Sequence, residues 1–247
     1  MTSPQLSQKR RSVRPLRQAA LDFFFLQNRG YPRRAAIEWV GNRYQLDSLG
    51  RQLLHRGVFS QGDALRRLTK RNLGVSWKKE WLVVDGHNVQ ITVESALLGR
   101  HLLRANDGAV RDLAGQSAKF RLSEASEQAL EFIFRLLKEF RPAGSLFLFD
   151  APISQSGHLA NLYQQRMDAL GLPGTARAVP VPEREFPYEQ GLVASSDQAV
   201  LENASRWVDL AGMVLSFNDS LELKEDFSSL MMTNMVWQDF SRVDWFS

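Results

Sequence analysis

Three short apolar runs in the last two thirds of the chain end on an aspartate. Val83-Val84 runs into Asp85, Leu148-Phe149 into Asp150, and Val193-Ala194 through Ser195-Ser196 into Asp197. Between the runs lie stretches with helical spacing. Ser123 can cap a helix reaching about Phe140, with Leu130, Ile133, Phe134 and Leu137 on one face. His158 to Leu170 aligns Leu159, Leu162, Tyr163 and Met167, and Gly171 closes it. Gln198 to Leu210 aligns Val200, Leu201, Ala204 and Val208. Trp81–Val84, Ser145–Phe149, Ala176–Val181, Gly191–Ala194 and Val214–Phe217 read as strands. Strands alternating with helices predict an α/β fold with a mainly parallel sheet covered on both faces.

In a parallel sheet all strand C-termini share one edge, and ligands bind outside it. Asp85, Asp150 and Asp197 are therefore expected to converge. Each alone also reads as a helix cap or turn residue. Together they predict an oxygen-donor site for a hard divalent ion, Mg²⁺ or Mn²⁺, suited to phosphodiester hydrolysis. Gly86 allows a tight turn there, and the Asn88 amide can orient a carboxylate or a water. His87 lacks a named partner in the sequence and is not expected to act as a base. Asn106-Asp107-Gly108 signals a turn, with Arg111-Asp112 close behind. It reads either as a loop over the sheet edge, with Asp107 or Asp112 as a ligand and Arg111 on phosphate, or as a surface turn with a local ion pair.

Charge divides the chain. Residues 1–80 hold 17 Lys/Arg and 5 Asp/Glu, whereas the remainder carries a net charge of −8. Residues 1–14 read as a disordered basic arm. Residues 15–78 read as a basic module of about four helices. The first spans Leu16 to Gln27 and closes at Gly30. The second has Pro32 as its first residue, the third is capped by Asp47 and the fourth by Ser60. Residues 79–247 form the α/β domain. Arginine's planar fork suits phosphate, so Arg29, Arg33, Arg34, Arg43, Arg56, Arg66, Arg67, Lys70, Arg71 and Arg111 are the candidate nucleic-acid contacts. The chain has no cysteine, so no disulfide framework or thiolate site. It has no apolar run near the roughly 20 residues of a membrane span. A cytoplasmic protein is expected, without a membrane partner. The apolar tail from Asp226, with Met231, Met232, Met235, Val236, Trp237, Phe240, Trp245 and Phe246, reads as a closing helix or as a homodimer face.

The strand ends resemble those of the PIN-like nuclease superfamily, including its NYN branch. The matching stretches are Asp85-Gly86-His87-Asn88, Phe149-Asp150-Ala151 and Ser195-Ser196-Asp197, within about residues 80–220. Nearly the whole chain also resembles an uncharacterised prokaryotic family, a domain of unknown function fused to a PIN-like domain. That match is carried by Asn28-Arg29-Gly30-Tyr31-Pro32, Val40-Gly41-Asn42-Arg43-Tyr44, His55-Arg56-Gly57-Val58-Phe59, Asp85-Gly86-His87-Asn88-Val89, Ile91-Thr92-Val93-Glu94, Asn106-Asp107-Gly108 and Arg111-Asp112. The resemblance implies a three-layer PIN-like domain, with Asp85 and Asp197 as metal ligands, Asp150 as an NYN-type companion, and Ser195 and Ser196 framing the site. The chain departs from the pattern between Val181 and Gly191, which leave no room for the usual acid-bearing helix. Glu183 or Glu185 can substitute there, or Glu94, Asp107 or Asp112 can fold in.

The expected activity is a Mg²⁺/Mn²⁺-dependent ribonuclease acting on structured RNA. The alternatives are an RNA-binding adaptor with a degenerate, non-cleaving fold, and a metal-dependent phosphohydrolase of small nucleotides.

Overall fold

The computed structural model describes residues 4–73, 78–113, 121–189, 191–218 and 220–231, with side chains from residue 15 onward. Its elements begin with α1 (Pro4–Asn28), α2 (Arg33–Arg43), α3 (Ser48–Gly57), α4 (Gln61–Leu68), β1 (Trp81–Asp85) and α5 (Gly86–Leu97). Then come β2 (Leu102–Arg104), β3 (Val110–Asp112), α6 (Glu124–Phe140), β4 (Gly144–Asp150), α7 (Ser156–Leu170) and β5 (Gly174–Val179). A 3-10 turn (Pro182–Arg184) leads to β6 (Leu192–Ala194), α8 (Gln198–Asn203), β7 (Arg206–Val208), α9 (Leu210–Ser216) and β8 (Glu225–Asp226). The chain forms two compact units. One is Met1–Leu65 with Leu103–Gly108 and Glu225–Ser247; the other is Arg66–Leu102 with Ala109–Lys224. A single cut near Gly74–Glu80 does not give this interleaved division, and Gly74 itself lies outside the described residues, as does the tail beyond Met231.

In the first unit, α1 begins at Pro4, so residues 4–14 are helical rather than a disordered arm. Its buried stripe is Leu16, Ala19, Ala20, Phe23 and Phe24. Gly30 closes the helix at φ +74°, a left-handed turn that glycine adopts without cost, and Tyr31 N donates to Leu26 O at 3.1 Å. Pro32 is the residue before α2 rather than its first. Asp47 caps α3 by accepting from Gly50 N at 2.8 Å, and Ser60 Oγ accepts from Asp63 N at 3.2 Å at the start of α4. The Asn106 side chain pairs with both backbone groups of Phe59, its Oδ1 accepting from N at 2.9 Å and its Nδ2 donating to O at 2.8 Å. Gly57 is required because a Cβ there would meet the Phe227 ring at 2.4 Å. Several stretches that carry the family resemblance thus have packing roles.

The second unit is built on a five-stranded sheet, ordered β5-β4-β1-β6-β7, with every neighbouring pair parallel. Alternation along β1 decides which core each residue enters. Leu82 and Val84 pack with Phe147, Phe149 and the apolar stripes of α5, α6, α7 and α9. Val83 joins Leu148, Val193 and Trp207 on the opposite face, under Phe186, Val200 and Leu201. Fully burying one such side chain contributes roughly 1.5–3 kcal/mol. Every residue from Gly86 to Ser95 in α5 is buried. The Ser123 cap of α6 is a full capping box with Ser126.

In the second unit two further sequence expectations are overturned. Val214–Phe217 is not a strand: Val214 to Ser216 end helix α9, which Asp209 caps by accepting from Gly212 N at 3.0 Å. The helix expected over Gln198–Leu210 stops at Asn203, and Arg206–Val208 forms the edge strand β7 instead. Among the described residues no helix is long and apolar enough to cross a membrane.

Candidate functional site

The chain steps outward from β1 to β4 and β5, then returns to lay β6 and β7 on the other side. The succession reverses between β1 and β6, where open parallel sheets bind ligands at the strand C-termini. Asp85 ends β1 and Asp197 follows β6, so the two carboxylates flank that reversal.

Hydrogen bonds join the two strand ends. Asp85 Oδ2 accepts from Ser195 Oγ at 2.9 Å, and Asp85 Oδ1 accepts from Asn88 N at 3.3 Å, capping α5. Asn88 Oδ1 accepts from Ser196 N at 2.8 Å and from Ser196 Oγ at 2.9 Å. Asp197 N donates to Ser195 Oγ at 3.0 Å, while Asp197 Oδ1 accepts from Ala199 N at 2.8 Å and caps α8. The capping roles are therefore real, and Asp85 and Asp197 meet at one edge through Ser195, whereas Asp150 is coupled to Glu183. Gly86 is fixed by space, because a Cβ would stand 2.5 Å from the Phe149 ring.

Asp85 is buried, and burial pushes its carboxyl up to about 7; the Ser195 and Asn88 donors oppose the rise, whereas the charges of Asp197 and Glu183 add to it. Asp150 is raised by burial and then by Glu183. Tyr188 is raised by burial and then by Glu183, Asp197 and Asp85. Glu183, on the 3-10 turn after β5, thus shares its field with Asp85, Asp150 and Tyr188. His87 meets this region through Nδ1, which accepts from Asp150 N at 3.0 Å, and its ring packs edge-on against Phe149. Burial drives its pKa down to about 4, so the imidazole is neutral.

Other candidates lie elsewhere. Glu185 pairs with Arg177. Glu94 accepts from Ser126 Oγ at 2.8 Å, in a buried network where Tyr163 donates to Gln90 and Gln90 donates to the Ser126 carbonyl. Asp107 belongs to the first unit. Asp112 accepts from Thr92 Oγ1 at 3.5 Å, one turn along α5 from Asn88. Arg111 is 3% exposed and its Nε holds the Ser196 carbonyl at 2.8 Å, so it shapes the serine loop from within rather than meeting phosphate at the surface. Among the described residues no three acidic or imidazole groups stand close enough to hold one ion together.

Several expected phosphate contacts are engaged internally. Arg67 is 1% exposed and pairs with Glu202 at 3.2 Å, Arg66 pairs with the same carboxylate at 3.1 Å, and Lys70 Nζ donates to the Glu202 carbonyl at 2.7 Å. Arg71 pairs with buried Asp209 and lies over the Trp207 ring. Arg33 lies over Phe23 and Phe59 and donates to the His55 carbonyl. Arg43 pairs with Asp22 at the surface, Arg56 is half-buried, and Arg29 and Arg34 are exposed. Sequence reading missed Tyr188 and Asp209. The signal for Asp209 is a fourth strand that ends on an aspartate, Trp207-Val208-Asp209.

The amino-terminal part, residues 15–70, matches a family described as protein of unknown function (DUF434). The chain is 29% identical over 206 residues to the uncharacterized protein MJ0935 of Methanocaldococcus jannaschii, covering 82% of this chain and 97% of that protein. No solved structure matches. The part that holds the strand-end carboxylates falls in a second match, over residues 76–213, and by it the chain belongs to the family described as domain of unknown function (DUF5616).

Proposed function

We propose that this protein is a PIN-like, divalent-metal-dependent nuclease that hydrolyses RNA phosphodiesters at the β1–β6 edge. The observation that carries the reading is the set of coupled carboxylates there. Asp85 is held near neutrality by burial beside Asp197 and Glu183, and Asp150 feels Glu183 as well. Carboxylates placed so repel one another unless a cation neutralises them. An all-oxygen donor set fits Mg²⁺ or Mn²⁺, with Asp85 and Asp197 as holders, Asp150 beside them, and Glu183 in place of the acid-bearing helix of PIN-like nucleases. Such an ion supplies charge neutralisation and an acidified water. Ser195 orients Asp85, and Asn88 fixes the Ser196 loop. Neutral His87 positions the Asp150 backbone and takes no proton.

One observation favours the adaptor reading. Among the described residues no three acidic groups are close enough for a shared ion, as expected of a fold that binds RNA without cleaving it. The test is cleavage of labelled RNA with Mn²⁺, Mg²⁺ or EDTA, beside Asp85→Asn and Asp197→Asn. Metal-dependent products absent from both variants support the nuclease. RNA binding without products, unchanged by either substitution, supports the adaptor.

A further inference from the structure

The amino-terminal unit carries a feature that packing does not account for. Phe25, Tyr31 and Trp39 are 56%, 44% and 53% exposed, within one short stretch from the last turns of α1 to the middle of α2. Exposed apolar residues scattered singly need no explanation. Tyr31 and Trp39 are not scattered. The Tyr31 and Trp39 rings meet edge to face, with centroids 5.8 Å apart. The Arg29 guanidinium lies over the Phe25 ring at 5.2 Å. Arg34, one residue into α2, is exposed as well.

Aromatic faces set among arginines are how proteins hold unpaired nucleobases. Each base has a π-face to stack, and the cations follow the phosphates between stacked bases. A duplex offers no such face, because its bases are already stacked inside it. Charge favours a polyanion over an apolar protein partner, since residues 1–65, the part of this unit that bears the aromatics, hold 11 Lys/Arg and 4 Asp/Glu, a net of +7. We infer that Tyr31 and Trp39, with Phe25, Arg29 and Arg34, form a stacking platform for single-stranded RNA. The platform deepens the proposed function by naming unpaired segments as what this unit grips. It rests on that reading for its RNA ligand but not on hydrolysis.

The measurement is fluorescence anisotropy of a labelled 12-nucleotide oligouridine and of a labelled 12-base-pair RNA duplex, titrated with the full-length protein in EDTA. Cleavage is then off, so a failed nuclease assay leaves this result interpretable. The single strand is expected to bind more tightly than the duplex. Trp39→Ala and Tyr31→Ala should each weaken it by about fivefold or more, and Trp39→Phe should retain most of the affinity. Both positions are surface-exposed, and an unchanged thermal midpoint confirms that each variant is folded. Equal affinity for single strand and duplex, no measurable binding, or single-strand binding indifferent to both alanine variants would overturn the platform. The second outcome is the one expected of a face that takes a protein instead.

Discussion

The Asp85 carboxylate and the Ser195 hydroxyl meet at 2.9 Å and tie the end of β1 to the end of β6 across the reversal in strand order. Much of what is expected of the site follows from how hard that carboxylate is to keep charged.

The Asp85 contribution to stability should fall as pH rises from about 4 to 7. Asp85 is lifted from its ordinary 3.8 to about 7, so between those values the folded state binds a proton that the unfolded chain has lost. Its contribution is full below pH 4 and gone above pH 7, a loss of about 4 kcal/mol in all and about 3 kcal/mol between pH 5 and pH 8. Asp85→Asn should flatten this slope. Urea denaturation of both proteins at pH 5 and pH 8 measures the difference, and a wild-type slope equal to the variant's would refute it.

His87 works in the opposite direction. Its folded pKa is about 4, so its share of stability is present above pH 6.5 and drains away as pH falls toward 4. Its ring signals in an NMR titration should stay put from pH 8 down to 5.5, with Nδ1 unprotonated. His87→Ala leaves the Asp150 amide without that acceptor and should cost about 2 kcal/mol.

Glu202 should matter more than its exposure suggests. Arg67 is sealed behind it at 1% exposure, and removing the carboxylate takes an ion-pair partner from a buried cation. Glu202→Ala is expected to cost about 1–3 kcal/mol, discounted because Glu202 is itself 40% exposed. Arg66→Ala, at 58% exposure, should cost under about 1 kcal/mol. Equal losses in the two variants would show that Arg67 does not depend on this partner.

Gly86→Ala forces a methyl into the Phe149 ring, 2.5 Å away. The ring has little room to yield, and a loss of about 1–3 kcal/mol is expected in thermal or chemical unfolding. A neutral result would mean that β4 shifts freely.

If the acid missing from the sequence pattern is Glu183, then Glu183→Gln should reduce metal-dependent RNA cleavage at least about tenfold, or 1.4 kcal/mol of barrier. Glu185→Gln should leave cleavage near wild type, because Glu185 serves Arg177. The reverse ranking would move the acid two residues along.

The elements most legible in the sequence were those whose signals were redundant. Ser123 carries a cap and a long apolar stripe behind it, and α6 starts where that predicts. The site's frame was readable for a similar reason: three strand ends repeat one signature, and parallel pairing brings Asp85 and Asp197 to one edge. The misreadings came from short runs. Val214 to Phe217 is apolar enough for either a strand or a buried helix turn, and only the Asp209 cap upstream decides it. The helix α5 has no solvent face from Gly86 to Ser95, so no alternation marked it. The basic residues were legible as charge but not as partners: Arg67, Arg71 and Arg111 found their acceptors inside the fold, which spacing along the chain cannot show.

The placement of β1 between β4 and β6 also has a consequence in time. A growing chain can pair β1 with β4 once Gly144–Asp150 emerges, but the other side of β1 must wait for Leu192–Ala194. Until then the apolar stretch Leu82–Val84 presents an open hydrogen-bonding edge, the kind that recruits stray strands. Sheets completed by late, distant pairings close slowly. During synthesis, then, the segment that later carries Asp85 waits with one edge open, and shielding that nascent edge becomes part of making the protein.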